Sequence, residues 1–191
     1  MDIEYEATFE SVNKPQLRLK LASTGAKLLK SEFLQKRTVF KLPKSVEVSG
    51  GWARVRDEGD KITVSVKAVT GTKITDQKEV CIVVDSYHRA EQFLQVSGFM
   101  KKAYQETFRE LWILNGVEVT IDTWPFLDPF VEIEGTSESV VQEVSELLGF
   151  DWKTARFCAV DQLYEEKYGV SKNKINNETP KIVFDMVNPF L

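Results

Sequence analysis

The sequence predicts an α+β fold, a closed antiparallel β-barrel with helices packed against its outside. Three observations point there. Segments in which apolar and polar residues alternate recur along the 191 residues, segments with helical spacing interrupt them, and the polar side of the alternating segments carries charge. The length suits a single domain over 1–191, with the barrel over about residues 1–150 and a C-terminal helix and tail over about 151–191.

The first strand covers residues 2–10. Asn13 then has the character of an N-cap, with Pro15 in the first turn of a helix that runs to about Leu21 or beyond and ends at Gly25. Strands follow near 34–41, 52–58, 61–69, 77–84, 104–114, 117–123 and 129–135, and the DEGDK turn around Gly59 joins 52–58 to 61–69 as a hairpin. A second helix covers about 87–97 and stops at Gly98. A third starts near Ser137, carries Val140, Val141, Val144, Leu147 and Leu148 at helical spacing, and stops at Gly149. A fourth covers about 154–168, includes Cys158 and stops at Gly169; the tail beyond it is irregular with a short strand or clamp. A faint repeat links TGAKLLKSEFLQKR to SGFMKKAYQETFR, as two related halves of a barrel would.

Successive side chains of a strand point to opposite faces, which divides each strand into two sets. Ile3, Tyr5, Ala7 and Phe9 oppose Glu4, Glu6, Thr8 and Glu10. Ala53 and Val55 oppose Trp52, Arg54 and Arg56; Ile62, Val64 and Val66 oppose Lys61, Thr63, Ser65 and Lys67. Val117, Val119 and Ile121 oppose Glu118, Thr120 and Asp122, and Val131 and Ile133 oppose Phe130, Glu132 and Glu134. The charges come as like pairs two residues apart, roughly 7 Å along the strand. Such pairs repel unless a counter-ion or ligand lies between them. Paired carboxylates suit Mg²⁺-like cations and paired arginines suit phosphate. A barrel lined with both would hold a metal–polyphosphate complex along its axis.

The remaining composition removes other chemistries. A net charge of −4 favours neither nucleic acid nor an anionic membrane surface. The single histidine, His88, falls in the first turn of the second helix, so a histidine base or a two-histidine zinc site is not expected. Cys81 and Cys158 form no disulfide framework, and there is no Walker-type loop and no G-x-G-x-x-G. The opening MDIEYEATF lacks the basic start and apolar run of a signal peptide, and no segment has the ~18 apolar residues of a membrane span, so a cytoplasmic protein is expected.

The ordered charges resemble the CYTH superfamily, the triphosphate tunnel metalloenzymes, which includes class IV adenylate cyclases and thiamine and inorganic triphosphatases. The family's opening E-x-E-x-K strand is matched by Glu4-Tyr5-Glu6-Ala7-Thr8, its R-x-R by Arg54 and Arg56, and its following strand lysine by Lys67. Glu79 matches an acid in the next strand, Arg109 a later arginine, Asp122 an aspartate, and Glu132 with Glu134 the closing E-x-E strand. The resemblance implies Mg²⁺ or Mn²⁺ on Glu4, Glu6, Asp122, Glu132 and Glu134, with Glu79 in support. It implies substrate binding by Arg54, Arg56, Lys67 and Arg109, with Lys67 and Arg109 acting in catalysis. The implied partner is a triphosphate-containing small molecule such as ATP, thiamine triphosphate or tripolyphosphate, cleaved by hydrolysis or cyclised to cyclic AMP; a homodimer is compatible. Two positions depart from the pattern, Thr8 and Thr107, where the family has lysines. Lys101, Lys102 and Arg37 are candidates for the replacement charge, and the departures keep a non-catalytic triphosphate- or polyphosphate-binding sensor as the alternative.

Overall fold

The computed structural model describes residues 1–46 and 48–191. The strands are β1 (Asp2–Ile3), β2 (Tyr5–Phe9), β3 (Lys27–Lys41), β4 (Gly51–Asp57), β5 (Ile62–Val69), β6 (Gln77–Val84), β7 (Met100–Leu114), β8 (Val117–Thr123), β9 (Phe130–Gly135) and β10 (Lys181–Ile182). The helices are α1 (Lys14–Ser23), α2 (Tyr87–Val96), α3 (Glu138–Leu148) and α4 (Val160–Tyr168). One sheet runs β1-β6-β5-β4-β3-β7-β8-β9-β2, antiparallel throughout, with β10 added parallel to β7. Because β1 and β2 are consecutive in the chain, the two ends of this order meet and the sheet nearly closes into a barrel.

The seam lies at the first strand, which is two short strands rather than the one expected over 2–10. Asp2 and Ile3 pair with β6, whereas Tyr5 to Phe9 pair with β9. At the crossover the Glu4 amide donates to the Gln77 carbonyl at 3.0 Å, and the Gln77 side-chain amide donates to the Glu6 carbonyl at 2.7 Å. Further along, Thr8 exchanges two 2.9 Å backbone hydrogen bonds with Arg156. That exchange satisfies backbone groups that an open β2 edge would leave unpaired. It also corrects the fourth helix: residues around Arg156 are extended, Cys158 precedes the helix, and α4 begins only at Val160.

The two halves of the repeat are α1 with β3 and α2 with β7. Each is a helix, a glycine with positive φ (Gly25 at 83°, Gly98 at 89°) and a fifteen-residue strand, and the two long strands pair with each other. β3 starts seven residues earlier than the alternation indicates. Its first half is largely exposed and carries two register shifts, so no period-two burial marks it.

Three apolar clusters surround the barrel. Ala7, Phe9, Val119, Ile121, Val131 and Ile133 lie under α1 and α3; Phe40, Ala53 and Val55 lie under α2. The third closes one end: Trp124 and Phe130 pack with Leu163, Tyr164, Ile175, Ile182 and Phe190. Phe130 therefore belongs to an apolar plug, although alternation groups it with Glu132 and Glu134. Asn13, Ser86 and Ser137 accept hydrogen bonds at the N-termini of α1, α2 and α3, and Gly149 and Gly169 end α3 and α4 in the left-handed conformation. Among the described residues no helix is long and apolar enough to cross a membrane.

Candidate functional site

With the apolar sets on the outside, most of the opposite charges face the barrel interior, while Glu10, Lys61 and Glu118 at strand ends are exposed. The interior charges line a cavity of about 610 Å³, bounded by Glu4, Glu6, Arg54, Arg56, Lys67, Arg109 and Glu132 from the strands and by Asp161 and Asn176 from the C-terminal segment. A cavity of this size is within the range that encloses small organic ligands.

The charges are mutually paired. The Lys67 ammonium lies 2.6 Å from Glu4 Oε2 and 3.1 Å from Glu6 Oε1. Arg54 donates to Glu79 at 2.8 Å and to Ser65 Oγ at 3.0 Å. Arg109 makes a two-pronged contact with the fully buried Asp122, at 2.8 and 2.7 Å, and reaches Glu132 at 2.6 Å. Arg56 donates to Glu58 at 2.9 Å. The like pairs are thus offset by opposite charges, most of them reached across an intervening strand or from a turn. Glu58, placed from the sequence at the strand end and turn but given no role, is the partner of Arg56; its position two residues further along was the available signal.

Carboxylates separate into two groups. Glu4, Glu6 and Glu134 each offer an oxygen within 4.8 Å of the others. Glu132 and Asp122 instead converge on Arg109. Burial, with Glu6 beside it, pushes Glu4 up to about 8. Burial also raises Glu6, next to Glu132, and desolvation with the Glu6 charge pushes Glu134 up to about 7. Glu79 behaves oppositely: burial opposes its ionisation, but Arg54 and Lys67 outweigh it and hold it at about 2. Burial likewise works against the charge on Arg109, which Asp122 and Glu132 nonetheless hold well above its ordinary value.

The donor set fits a hard divalent cation. Three carboxylates converge, and Glu4 Oε2 is buried without a hydrogen bond, the nearby Lys67 ammonium being poorly aimed at it.

The two threonines are both buried, Thr8 at 4% exposure and Thr107 at 0%. Of the candidate replacement cations, Lys101 is exposed and pairs with Glu91 at 3.2 Å, whereas Lys102 lines the cavity and donates to Asn176 at 2.9 Å. A register shift between Val39 and Phe40, opposite this part of β7, breaks the alternation that would have decided between them. Arg37 lies inside, donating to Thr107 Oγ1 at 2.6 Å.

No family model matches the chain, and no curated protein does. Solved structures do. The PH1012 protein of Pyrococcus horikoshii OT3 superposes with a TM-score of 0.68 at 20% identity, over 82% of this chain and 96% of its own. A candidate adenylate cyclase from Vibrio parahaemolyticus gives 0.73 at 8% identity, over 85% and 97%. HpAC1 from Hippeastrum, a candidate adenylyl cyclase with a dominant triphosphatase activity, gives 0.57 at 12% identity, over 88% and 97%. The chain has the CYTH fold. In this barrel Arg54 and Arg56 stand on β4, Lys67 on β5 and Arg109 on β7, with Glu4 at the junction of β1 and β2, Glu6 on β2, Glu79 on β6, Asp122 on β8, and Glu132 and Glu134 on β9.

Proposed function

We propose that the protein binds a triphosphorylated small molecule in the barrel with a divalent metal and cleaves a phosphoanhydride bond. The observation that carries this reading is the sorting of charge around one cavity: Arg54, Arg56, Lys67 and Arg109 face the same space as Glu4 and Glu6, whose carboxylates cluster with that of Glu134. Phosphoryl transfer needs positioning and charge neutralisation more than a protein nucleophile. That requirement agrees with an exposed His88 and with Cys158, whose thiol burial pushes up to about 12.

Glu4, Glu6 and Glu134 would hold Mg²⁺ or Mn²⁺, with Glu132 and Asp122 completing the acidic wall. A divalent ion held there would supply charge neutralisation to the phosphate oxygens. Arg54 and Arg56 grip non-bridging oxygens, a task suited to the planar guanidinium fork. Lys67 and Arg109 offset charge that grows on the oxygens as the bond breaks. Asp122 holds Arg109, and Glu79 holds Arg54, in the orientation this requires. Hydrolysis and cyclisation to cyclic AMP use the same residues and differ in whether water or a ribose hydroxyl attacks. The binding-only alternative draws on Thr8, which supplies no cation.

The deciding experiment incubates the protein with Mg²⁺ or Mn²⁺ and ATP, thiamine triphosphate or tripolyphosphate, and identifies products. The expected result is one substrate cleaved only with metal, and metal affinity reduced about 10- to 100-fold in the Glu132→Gln/Glu134→Gln double variant. Metal-dependent binding without product would select the sensor. A double variant with full metal-dependent activity would remove these carboxylates from the site.

A further inference from the structure

Arg37 differs from the other arginines in the tunnel and from Lys67. Lys67, Arg54, Arg56 and Arg109 each have a carboxylate partner, but Arg37 has none within 4 Å among the described residues. It is only 4% exposed and lines the cavity. Its contacts are neutral: Nη2 donates to Gln35 Oε1 at 2.5 Å and to Thr107 Oγ1 at 2.6 Å, and the guanidinium carbon lies 4.5 Å from the centre of the Trp124 ring. Burial and the nearby charges of Arg54, Arg56 and Arg109 all work against its ionised form. A buried charge left in this state is strongly unfavourable unless something compensates it.

The unsatisfied atoms show what is missing. Arg37 Nε and Gln35 Nε2 are both buried without a partner, and both are donors. The Gln35 amide cannot be reversed to remove the deficit, because its oxygen already accepts from Arg37 and from Thr107. Two adjacent donors, one of them cationic, require an acceptor that brings negative charge.

We propose that Arg37, supported by Gln35, forms an anion subsite on the β3 wall that binds phosphoryl oxygens. The inference rests on the triphosphate reading for the identity of its ligand. It assigns to β3 the charge that Thr107 fails to supply on β7: the residues are cross-strand neighbours, since Arg37 pairs with Gln105 and Gln35 with Thr107. The threonine hydroxyl takes one guanidinium nitrogen and leaves the rest of the fork for the ligand.

The test uses the whole chain in metal-free, sulfate-free buffer, with inorganic phosphate as the probe and the thermal midpoint as readout, followed by tripolyphosphate titration with Mg²⁺. In Arg37→Met the midpoint without anion should equal or exceed that of the unsubstituted protein. Its phosphate-induced rise should fall by at least half, and tripolyphosphate should bind about 10- to 100-fold more weakly. Arg37→Lys, which keeps the charge without the fork, should fold and show a partial loss. A normal phosphate response in either variant, or a lowered anion-free midpoint with unchanged tripolyphosphate affinity, overturns the subsite while leaving the triphosphate reading intact. A phosphate response that depends on Arg37 in a protein that binds no triphosphate supports the subsite and removes that reading. No response to either anion in the unsubstituted protein overturns both.

Discussion

Glu79 illustrates how a single tunnel carboxylate contributes to stability as well as to the site. Its folded value near 2 lies below its ordinary 4.5, so the Arg54 pairing stabilises the fold above that ordinary value. The contribution is lost as pH falls through about 2, which places the window between about 4.5 and 2. The shift corresponds to about 3 kcal/mol at neutral pH. Glu79→Gln should cost about that much at pH 7 and less than half of it at pH 3, read from urea midpoints at the two pH values. A penalty independent of pH would mean that Glu79 acts through packing. At this scale alternation in short strands marked Glu4, Glu6, Arg54, Arg56, Lys67 and Glu132 as sharing one interior, and the family resemblance added Arg109. It did not identify their partners, most of which lie on other strands whose register is set by tertiary pairing.

Elements were legible where the local pattern and the fold agree. The caps at Asn13 and Ser137 and the stops at Gly25, Gly98 and Gly149 mark α1, α2 and α3 through local chemistry alone. Two elements were obscured. The first half of β3 has bulges and little burial, and Arg156 is drawn into extended backbone by the Thr8 edge, which delays the fourth helix to Val160. The helix–glycine–strand units make their own prediction. Gly98 at φ 89° has nothing closer than ordinary contact with Pro43, so an added methyl meets backbone strain and no clash. Gly98→Ala should therefore cost about 1–2 kcal/mol in chemical denaturation. Triphosphate binding should be unaffected, because the residue is outside the cavity lining.

For the whole molecule, near-closure of the sheet explains why so much charge can be held inside 191 residues. Helices cover the apolar exterior on two sides, an aromatic plug fills one end, and the interior cations Arg54, Arg56, Lys67 and Arg109 are paired with carboxylates. The C-terminal segment contributes Ile175 and Ile182 to the plug and Asp161 and Asn176 to the cavity wall, so it forms part of the site. The central claim is that this interior binds a triphosphate through metal and arginine together. Isothermal titration of tripolyphosphate into the full chain tests it most directly, with Mg²⁺ or with a chelator, for the unsubstituted protein and for Arg54→Ala and Arg56→Ala. The account predicts one site per chain, loss of binding with the chelator, and affinity about 10- to 100-fold weaker in each arginine variant. Binding that is indifferent to metal and equal in all three proteins would contradict it.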